Sequence, residues 1–259
     1  MTLTQRTLKG RAGRLAATEA GEGGVPVLFV HGNGGNRTQW AAQQAHLKQR
    51  SVAFDMRGMG ESEPDAAGRY GCEAMAEDVE AVVEALGWER FVLVGHSFGG
   101  TVVGTYAARH PERLAGLVYA DAGGDNRGAP EKDIALYRKG MAPETYEAFT
   151  RQWFEAILQH ARPETHRAVM ASLRATPREV FMEAFWSAVA YDPYPGLQRF
   201  QGPKLSIVAE LLLEAVGDKA LHRLVPDVPH RVLSGVSHWL MMDAPEPFNA
   251  ELEAFLRSL

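Results

Sequence analysis

The sequence predicts an α/β fold with a mostly parallel central sheet, and three observations support this prediction. Short apolar runs typical of buried strands alternate with segments of helical periodicity along much of the 259-residue chain. One apolar run, residues 91–94, leads directly into a Gly-x-Ser-x-Gly turn at residues 95–99. Another, residues 27–30, leads into the glycine-rich segment 31–36. Open α/β sheets place their functional sites at such strand ends.

The elements follow from this alternation in chain order. Early strands are expected at about residues 5–18, 26–31 and 51–55, and a helix with one apolar side at about 74–87. The turn at 95–99 joins a strand at 91–95 to a helix at about 98–109, which is followed by a strand at 116–121. Later strands are expected at 205–209 and 231–233.

The segment from about residue 130 to 198 shows no strand pattern and several helical ones. Pro143, Pro163 and Pro177 each stand where a helix can begin, and Thr176 with Glu179 matches a capping box. Aromatic residues recur in this segment at helical spacing. We therefore expect a core formed by residues 1–125 and 200–259, interrupted by an all-helical insertion over residues 126–199.

Ser97 is the predicted nucleophile. A Gly-x-Ser-x-Gly turn between a strand and a helix is typical of a nucleophile elbow, in which Gly95 and Gly99 leave no room for a side chain. Such a turn holds the serine hydroxyl clear of the backbone. It also places Ser97 at the N-terminus of a helix, where free N–H groups stabilise a developing negative charge.

A base and an oxyanion hole complete the predicted chemistry. His238 follows a short strand and a loop containing Gly235, and a neutral imidazole at pH 7 can accept the serine proton. Ser97 precedes His238, which fits the chain order Ser…acid…His of one hydrolase class. We expect the backbone N–H groups of Asn33 and Phe98 to hold the oxyanion.

Four motifs together resemble the α/β-hydrolase superfamily. They are His-Gly-Asn-Gly at 31–34, Asp-Met-Arg-Gly-Met-Gly-Glu-Ser at 55–62, Gly-His-Ser-Phe-Gly-Gly at 95–100 and Ser-His-Trp at 237–239. The resemblance extends from about residue 7 to residue 259. It implies an α/β-hydrolase fold with helices on both faces of the sheet, and residues 126–199 as a helical cap over the nucleophile. It also implies structural roles for Asp55 and Arg57.

The acid of the triad departs from the family pattern. Relatives usually carry an Asp soon after the strand that follows the cap, but residues 210–214 read Glu-Leu-Leu-Leu-Glu. Counting back from His238 places Glu210 at that position, whereas alignment on the strand places Leu212 there. Some relatives take the acid from the preceding strand, which here ends at Asp121. The leucine run favours Asp121, with Glu210 as the alternative and Glu214 or Asp218 as further candidates.

The resemblance favours a carboxylesterase that cleaves small to medium apolar esters through an acyl-enzyme. A lactonase or a C–C bond hydrolase would use the same triad, and a slow-turnover ligand receptor would keep it. Haloalkane dehalogenases and epoxide hydrolases are disfavoured because their nucleophile is Asp, whereas Ser97 stands here. An apolar substrate pocket is expected from His96, Trp153, Phe154, Phe181, Phe185, Trp186 and Trp239.

Composition narrows the partners without identifying the substrate. A net charge of −5 with scattered basic residues disfavours binding to nucleic acid or to an anionic membrane. Cys72 is the single cysteine, so no intrachain disulfide can form and a cytoplasmic location is expected. No Cys/His cluster has metal-ligand spacing, and neither a metal nor a cofactor is expected. The expected assembly is a monomer or a homodimer that binds a small-molecule ester.

Overall fold

Eight strands form one mostly parallel sheet in the computed structural model, which describes residues 2–122, 124–216 and 221–259. The strands are β1 (Thr4–Lys9), β2 (Arg14–Ala20), β3 (Val27–Val30), β4 (Ser51–Phe54), β5 (Phe91–His96), β6 (Leu114–Ala120), β7 (Lys204–Ala209) and β8 (His230–Leu233). Their order across the sheet is β1-β2-β4-β3-β5-β6-β7-β8. Only β2 runs antiparallel to both of its neighbours, β1 and β4.

The central strands are buried on both faces, which explains their continuous apolar runs. Every residue of β3, β5 and β6 is buried. The expectation of a single strand over residues 5–18 is wrong. The chain turns between Gly10 and Gly13 and returns as β2. The backbone N–H of Gly10 donates to the carbonyl of Gly13 at 2.8 Å.

Helices cover both faces of this sheet. Those outside the predicted insertion are α1 (Ala41–His46), α2 (Cys72–Leu86), α3 (Phe98–Arg109), α9 (Glu210–Val216), α10 (Leu221–Leu224), α11 (Leu240–Asp243) and α12 (Pro245–Arg257). One hydrophobic cluster joins the sheet to α2 and α3, and the other joins it to α12 and to Trp40. This is the predicted fold class. None of the helices in the described residues is long and apolar enough to cross a membrane.

Five helices separate β6 from β7, and residues 124–203 contain no strand. They are α4 (Glu131–Gly140), α5 (Tyr146–Ile157), α6 (Pro163–Ala175), α7 (Arg178–Ala190) and α8 (Tyr194–Arg199). Pro163 begins α6 as expected, but Pro143 precedes α5 by three residues and Pro177 is the residue before α7. The expected capping box is also wrong, because the Thr176 hydroxyl bonds back to the carbonyl of Ser172 in the preceding helix.

Candidate active site

Ser97 lies on a sharp turn between β5 and α3. Its backbone is in the left-handed region, with φ 53° and ψ −120°, which a residue other than glycine adopts only under strong constraint. The constraint is crowding. A Cβ atom on Gly95 would collide with the carbonyl oxygen of Gly99, and one on Gly99 would lie 2.6 Å from the carbonyl oxygens of Val30 and His31. The turn therefore has the geometry expected of a nucleophile elbow.

Asp121 and His238 are in direct contact. Asp121 follows β6, the immediate neighbour of β5, and its Oδ2 lies 2.7 Å from His238 Nδ1. Its Oδ1 accepts the backbone N–H of Ala209 at 2.6 Å. An ionised carboxylate only accepts hydrogen bonds, so the contact fixes the proton on Nδ1 and leaves Nε2 free to act as a base. Burial raises the pKa of Asp121, and the bond to His238 opposes that rise.

The alternative acids are placed differently. Glu210 is exposed at the first residue of α9, while Asp121 occupies the ring nitrogen that Glu210 would have to reach. The side chain of Glu214 and the whole of Asp218 lie outside the described residues. The arrangement of described residues therefore favours Asp121 as the partner of His238.

The backbone of His238 is held from two sides. Its N–H donates to the carbonyl of Ile157 at the end of α5, at 3.0 Å. Its carbonyl accepts a hydrogen bond from His96 Nε2 at 2.8 Å. Within the described residues, the Ser97 hydroxyl makes no hydrogen bond to His238. Nucleophile–base hydrogen bonds are often loose in substrate-free sites and tighten on binding.

His96, predicted to line the pocket, is buried against the candidate base His238. Its side chain is fully buried, and its ring centroid is 4.7 Å from that of His238. Burial lowers the pKa of His96 well below its usual value, and the neighbouring His238 acts in the same direction. A neutral His96 that donates from Nε2 to a carbonyl can orient the base without adding a competing positive charge.

The predicted oxyanion donors lie on the glycine-rich loop after β3, which carries Asn33, and at the first residue of α3, Phe98. Within the described residues, the backbone N–H groups of Asn33 and Phe98 donate to no backbone carbonyl. The glycine-rich loop comes close to the nucleophile, since a Cβ atom on Gly32 would lie 3.1 Å from Ser97 Cβ. This loop is held by His31, the first residue of the His-Gly-Asn-Gly motif, for which the sequence indicated no separate role. His31 Nε2 accepts the Met56 N–H at 3.0 Å.

The predicted pocket residues belong to one chain of neighbouring rings. Trp239 connects His238 and His96 to Phe154, with centroids 5.1 Å, 5.8 Å and 5.5 Å away. From Phe154 the contacts continue through Phe181, Trp153 and Phe185 to Trp186. Among the described residues, three further members, Tyr137, Tyr146 and Phe149, were not predicted as pocket residues. Tyr146 begins a helically spaced aromatic set that includes Phe149 and Trp153, and this spacing was the available signal.

The site contains a serine, a histidine and a carboxylate, and the described residues show no cluster that could hold a metal. No group of three or more His, Cys, Asp or Glu side chains is suitably placed there. Arg57 and Asp55 are both fully buried. Arg57 is engaged by Asp78 and Asp65 at 2.6–2.8 Å, which fits the structural role that the family resemblance implies.

Comparison with known proteins identifies the fold family. A family model described as the alpha/beta hydrolase fold matches residues 25–245. Epoxide hydrolase 3 of Xenopus tropicalis is 27% identical over 262 residues, which cover 89% of this chain and 71% of that protein. A thermophilic esterase from Thermogutta terrifontis is 26% identical with a TM-score of 0.79, covering 98% of each chain. Est816, described as an N-acyl homoserine lactone degrading enzyme, is 25% identical with a TM-score of 0.83, covering 96% of this chain and 100% of that one.

Proposed function

Because the chain belongs to the α/β-hydrolase fold family, we propose that it is a serine hydrolase that cleaves carboxylic esters of small to medium apolar compounds. The observation that carries this proposal is the 2.7 Å contact between Asp121 Oδ2 and His238 Nδ1, at the end of the strand beside the Ser97 turn. A buried carboxylate that fixes the tautomer of a histidine is the arrangement that activates a serine. The similarity to a solved esterase supports the same reaction.

The proposed reaction proceeds through an acyl-enzyme. His238 Nε2 takes the proton of the Ser97 hydroxyl as Ser97 Oγ attacks the ester carbonyl. The N–H groups of Asn33 and Phe98 stabilise the oxyanion. Collapse of this intermediate breaks the ester C–O bond, and His238 gives its proton to the leaving alcohol. Water deprotonated by His238 then attacks the acyl-enzyme, which releases the acid and returns the proton to Ser97.

We assign helices α4 to α8, within the predicted insertion at residues 126–199, the role of a cap over this site. Two backbone carbonyls of these helices accept hydrogen bonds from the site: Ile157 from the His238 N–H, and Phe181 from Asn33 Nδ2 at 2.9 Å. The aromatic rings that reach His238 through Trp239 come from the same helices. A cap of this kind excludes water, which strengthens hydrogen bonds and charge interactions in the site.

A lactone is the second candidate substrate, because of the similarity to Est816. A lactone is a cyclic ester, so the same steps apply and the leaving alcohol stays attached to the acyl group. Epoxide or haloalkane hydrolysis of the family type is disfavoured, since the nucleophile position carries Ser97 and not Asp.

The test is hydrolysis of p-nitrophenyl esters of increasing acyl length by the wild-type protein and by Ser97→Ala and His238→Ala. Each variant should lower kcat by about 10⁴-fold or more while the circular dichroism spectrum is unchanged. Ser234→Ala is the matched control, since Ser234 is exposed near the His238 loop and should retain full activity. Undiminished activity in a clean preparation of Ser97→Ala would refute the proposal. Acylation of the wild-type protein by the p-nitrophenyl ester without further turnover would instead indicate a ligand receptor.

A further inference from the structure

The side-chain amide of Asn33 has one satisfied end and one unsatisfied end. Asn33 Nδ2 donates to the backbone carbonyl of Phe181 at 2.9 Å. Because a carbonyl only accepts, this contact determines which end of the amide faces Phe181. Asn33 Oδ1 is then buried, and it has no hydrogen-bond partner among the described residues.

A buried acceptor without a donor is costly, and most such atoms in proteins are paired. Asn33 Oδ1 belongs to the same residue as the backbone N–H that we assign to the oxyanion hole, so the two groups are only a side chain's length apart. We therefore assign a donor on the carbon next to the scissile carbonyl of a bound ester as the partner of this oxygen. The donor can be an amide N–H or a hydroxyl.

Tyr146 provides a second, separate unsatisfied group. Its hydroxyl is buried without a partner among the described residues, and its ring centroid is 5.9 Å from that of Phe181, the residue that holds Asn33. Burial raises the pKa of Tyr146 to about 12, so the hydroxyl stays protonated and can donate. An amide offers both a donor for Asn33 and an acceptor for Tyr146, whereas purely apolar acyl groups offer neither.

We propose that the preferred substrates are esters or lactones with a hydrogen-bond donor, above all a secondary amide N–H, on the carbon next to the scissile carbonyl. The donor binds Asn33 Oδ1, and the apolar remainder of the acyl group lies along the aromatic rings of α5 and α7. This rests on the proposed hydrolase function and refines its substrate class.

The test compares pairs of ethyl esters that differ only in the donor, with hydrolysis followed by pH-stat. N-acetylglycine ethyl ester is paired with N-acetylsarcosine ethyl ester, and ethyl glycolate with ethyl methoxyacetate. Ethyl butanoate reports the basic esterase reaction. An unpaired buried acceptor predicts that kcat/KM for the N–H ester exceeds that for its N-methyl partner by about tenfold or more. The hydroxyl pair shows whether a hydroxyl can serve as the donor.

Two variants separate recognition from general damage. Asn33→Ala removes the acceptor and should reduce the N–H to N-methyl ratio to about one, whatever its effect on absolute rates. Asn36→Ala is the matched control, because Asn36 Nδ2 bonds Ser172 Oγ at 2.7 Å and also ties this loop to the helical insertion. It should keep the wild-type ratio. Hydrolysis of ethyl butanoate with equal rates within both pairs would overturn this inference alone, whereas no hydrolysis of any ester would overturn the proposed function too.

Discussion

Two residues of the candidate site adopt a backbone conformation that L-amino acids rarely use. Ser97 has φ 53° and Asp121 has φ 45°, and they follow adjacent strands whose register pairs His96 with Ala120. Each such residue costs on the order of 1–3 kcal/mol and persists only where the surrounding structure enforces it. The sheet therefore holds nucleophile and acid at a fixed separation, and His238 on its loop is the third group.

Asn can replace Asp121 without new backbone strain, since Asn tolerates this φ. Asp121→Asn should leave the protein folded and lower kcat by about 10⁴-fold, because an amide no longer fixes the reactive histidine tautomer. The measurement is steady-state hydrolysis of a p-nitrophenyl ester, with thermal unfolding as the check on folding.

Glu210→Gln is the matched control for this prediction. Glu210 is exposed at the start of α9, so its amide should leave kcat within about twofold. The reverse result, a crippled Glu210→Gln and a mild Asp121→Asn, would assign the acid to the segment after β7.

Ser97 and His238 could be selected as candidates from the sequence because each lies in a local pattern of a few residues. The leucine run after β7 favoured Asp121 as the candidate acid, but its contact with His238 joins residues 117 positions apart and could not be predicted from the sequence. The polar environment of Asn33 could not be predicted, since its partner Phe181 is 148 residues distant. Sequence spacing contains no information on such contacts.

At the scale of elements, the turn between β5 and α3 depends on glycine at positions 95 and 99, where a side chain would collide with the backbone. Gly99→Ala would place a Cβ atom 2.6 Å from the backbone oxygens of Val30 and His31, which cannot move without disturbing β3. We expect this variant to lose both activity and at least about 3 kcal/mol of unfolding free energy. Urea unfolding measures the loss.

Gly128→Ala is the comparison, because a Cβ atom there meets nothing within 4 Å. It should change neither activity nor stability. A Gly99→Ala protein with wild-type stability would show that the turn can relax and that the close contacts are not essential.

The aromatic rings of α5 and α7 are expected to select the acyl group. Phe154 is buried against Trp239 and Phe181, while Trp186 is half-buried against Phe185. Phe154→Ala and Trp186→Ala should change the acyl-length profile by about 1–3 kcal/mol of discrimination and alter acetate ester hydrolysis less. Measured kcat/KM across acetate to decanoate esters tests this, and unchanged profiles in both variants would place the acyl pocket elsewhere.

At the scale of the molecule, two buried histidines connect protonation to folding. Burial lowers the pKa of both His31 and His96, so each binds a proton more readily in the unfolded chain. Their contribution is fully present above about pH 6.5 and is lost as the pH falls through their lowered values, at up to about 1.4 kcal/mol per pH unit each. Urea unfolding should show a clear loss of stability between pH 7.5 and pH 5.5.

The exposed histidines are not expected to account for this loss of stability. His46 and His166 face Glu253 and Glu155 in exposed pairs, which contribute little. His160→Asn is the control, because His160 is exposed and its φ of 71° suits Asn. This variant should show the same loss of stability. A wild-type stability that is flat or rises toward pH 5.5 would contradict the prediction.

The sheet and its parallel order were predictable from the alternation of apolar runs and helices, since this pattern admits few topologies. The first residues of the helices in the insertion were less predictable from the sequence. A proline is compatible with several positions near a helix start, and Thr176 could bond forward or back along the chain. The sequence pattern is the same in both cases, and the structure shows the Thr176 hydroxyl bonded back to the carbonyl of Ser172.

The hydrogen bonds that backbone carbonyls of the helical insertion accept from the site have a consequence for chimeric enzymes. Ile157 and Phe181 contribute carbonyl groups, which any residue at those positions would supply if the backbone kept its path. Their side chains can thus be varied to redirect selectivity, while exchange of the whole insertion for that of a relative would remove the supports of His238 and Asn33. Productive chimeras should keep the C-terminal end of α5, which carries Ile157, and the first turn of α7, which carries Phe181. Only the side chains elsewhere in the insertion should be exchanged.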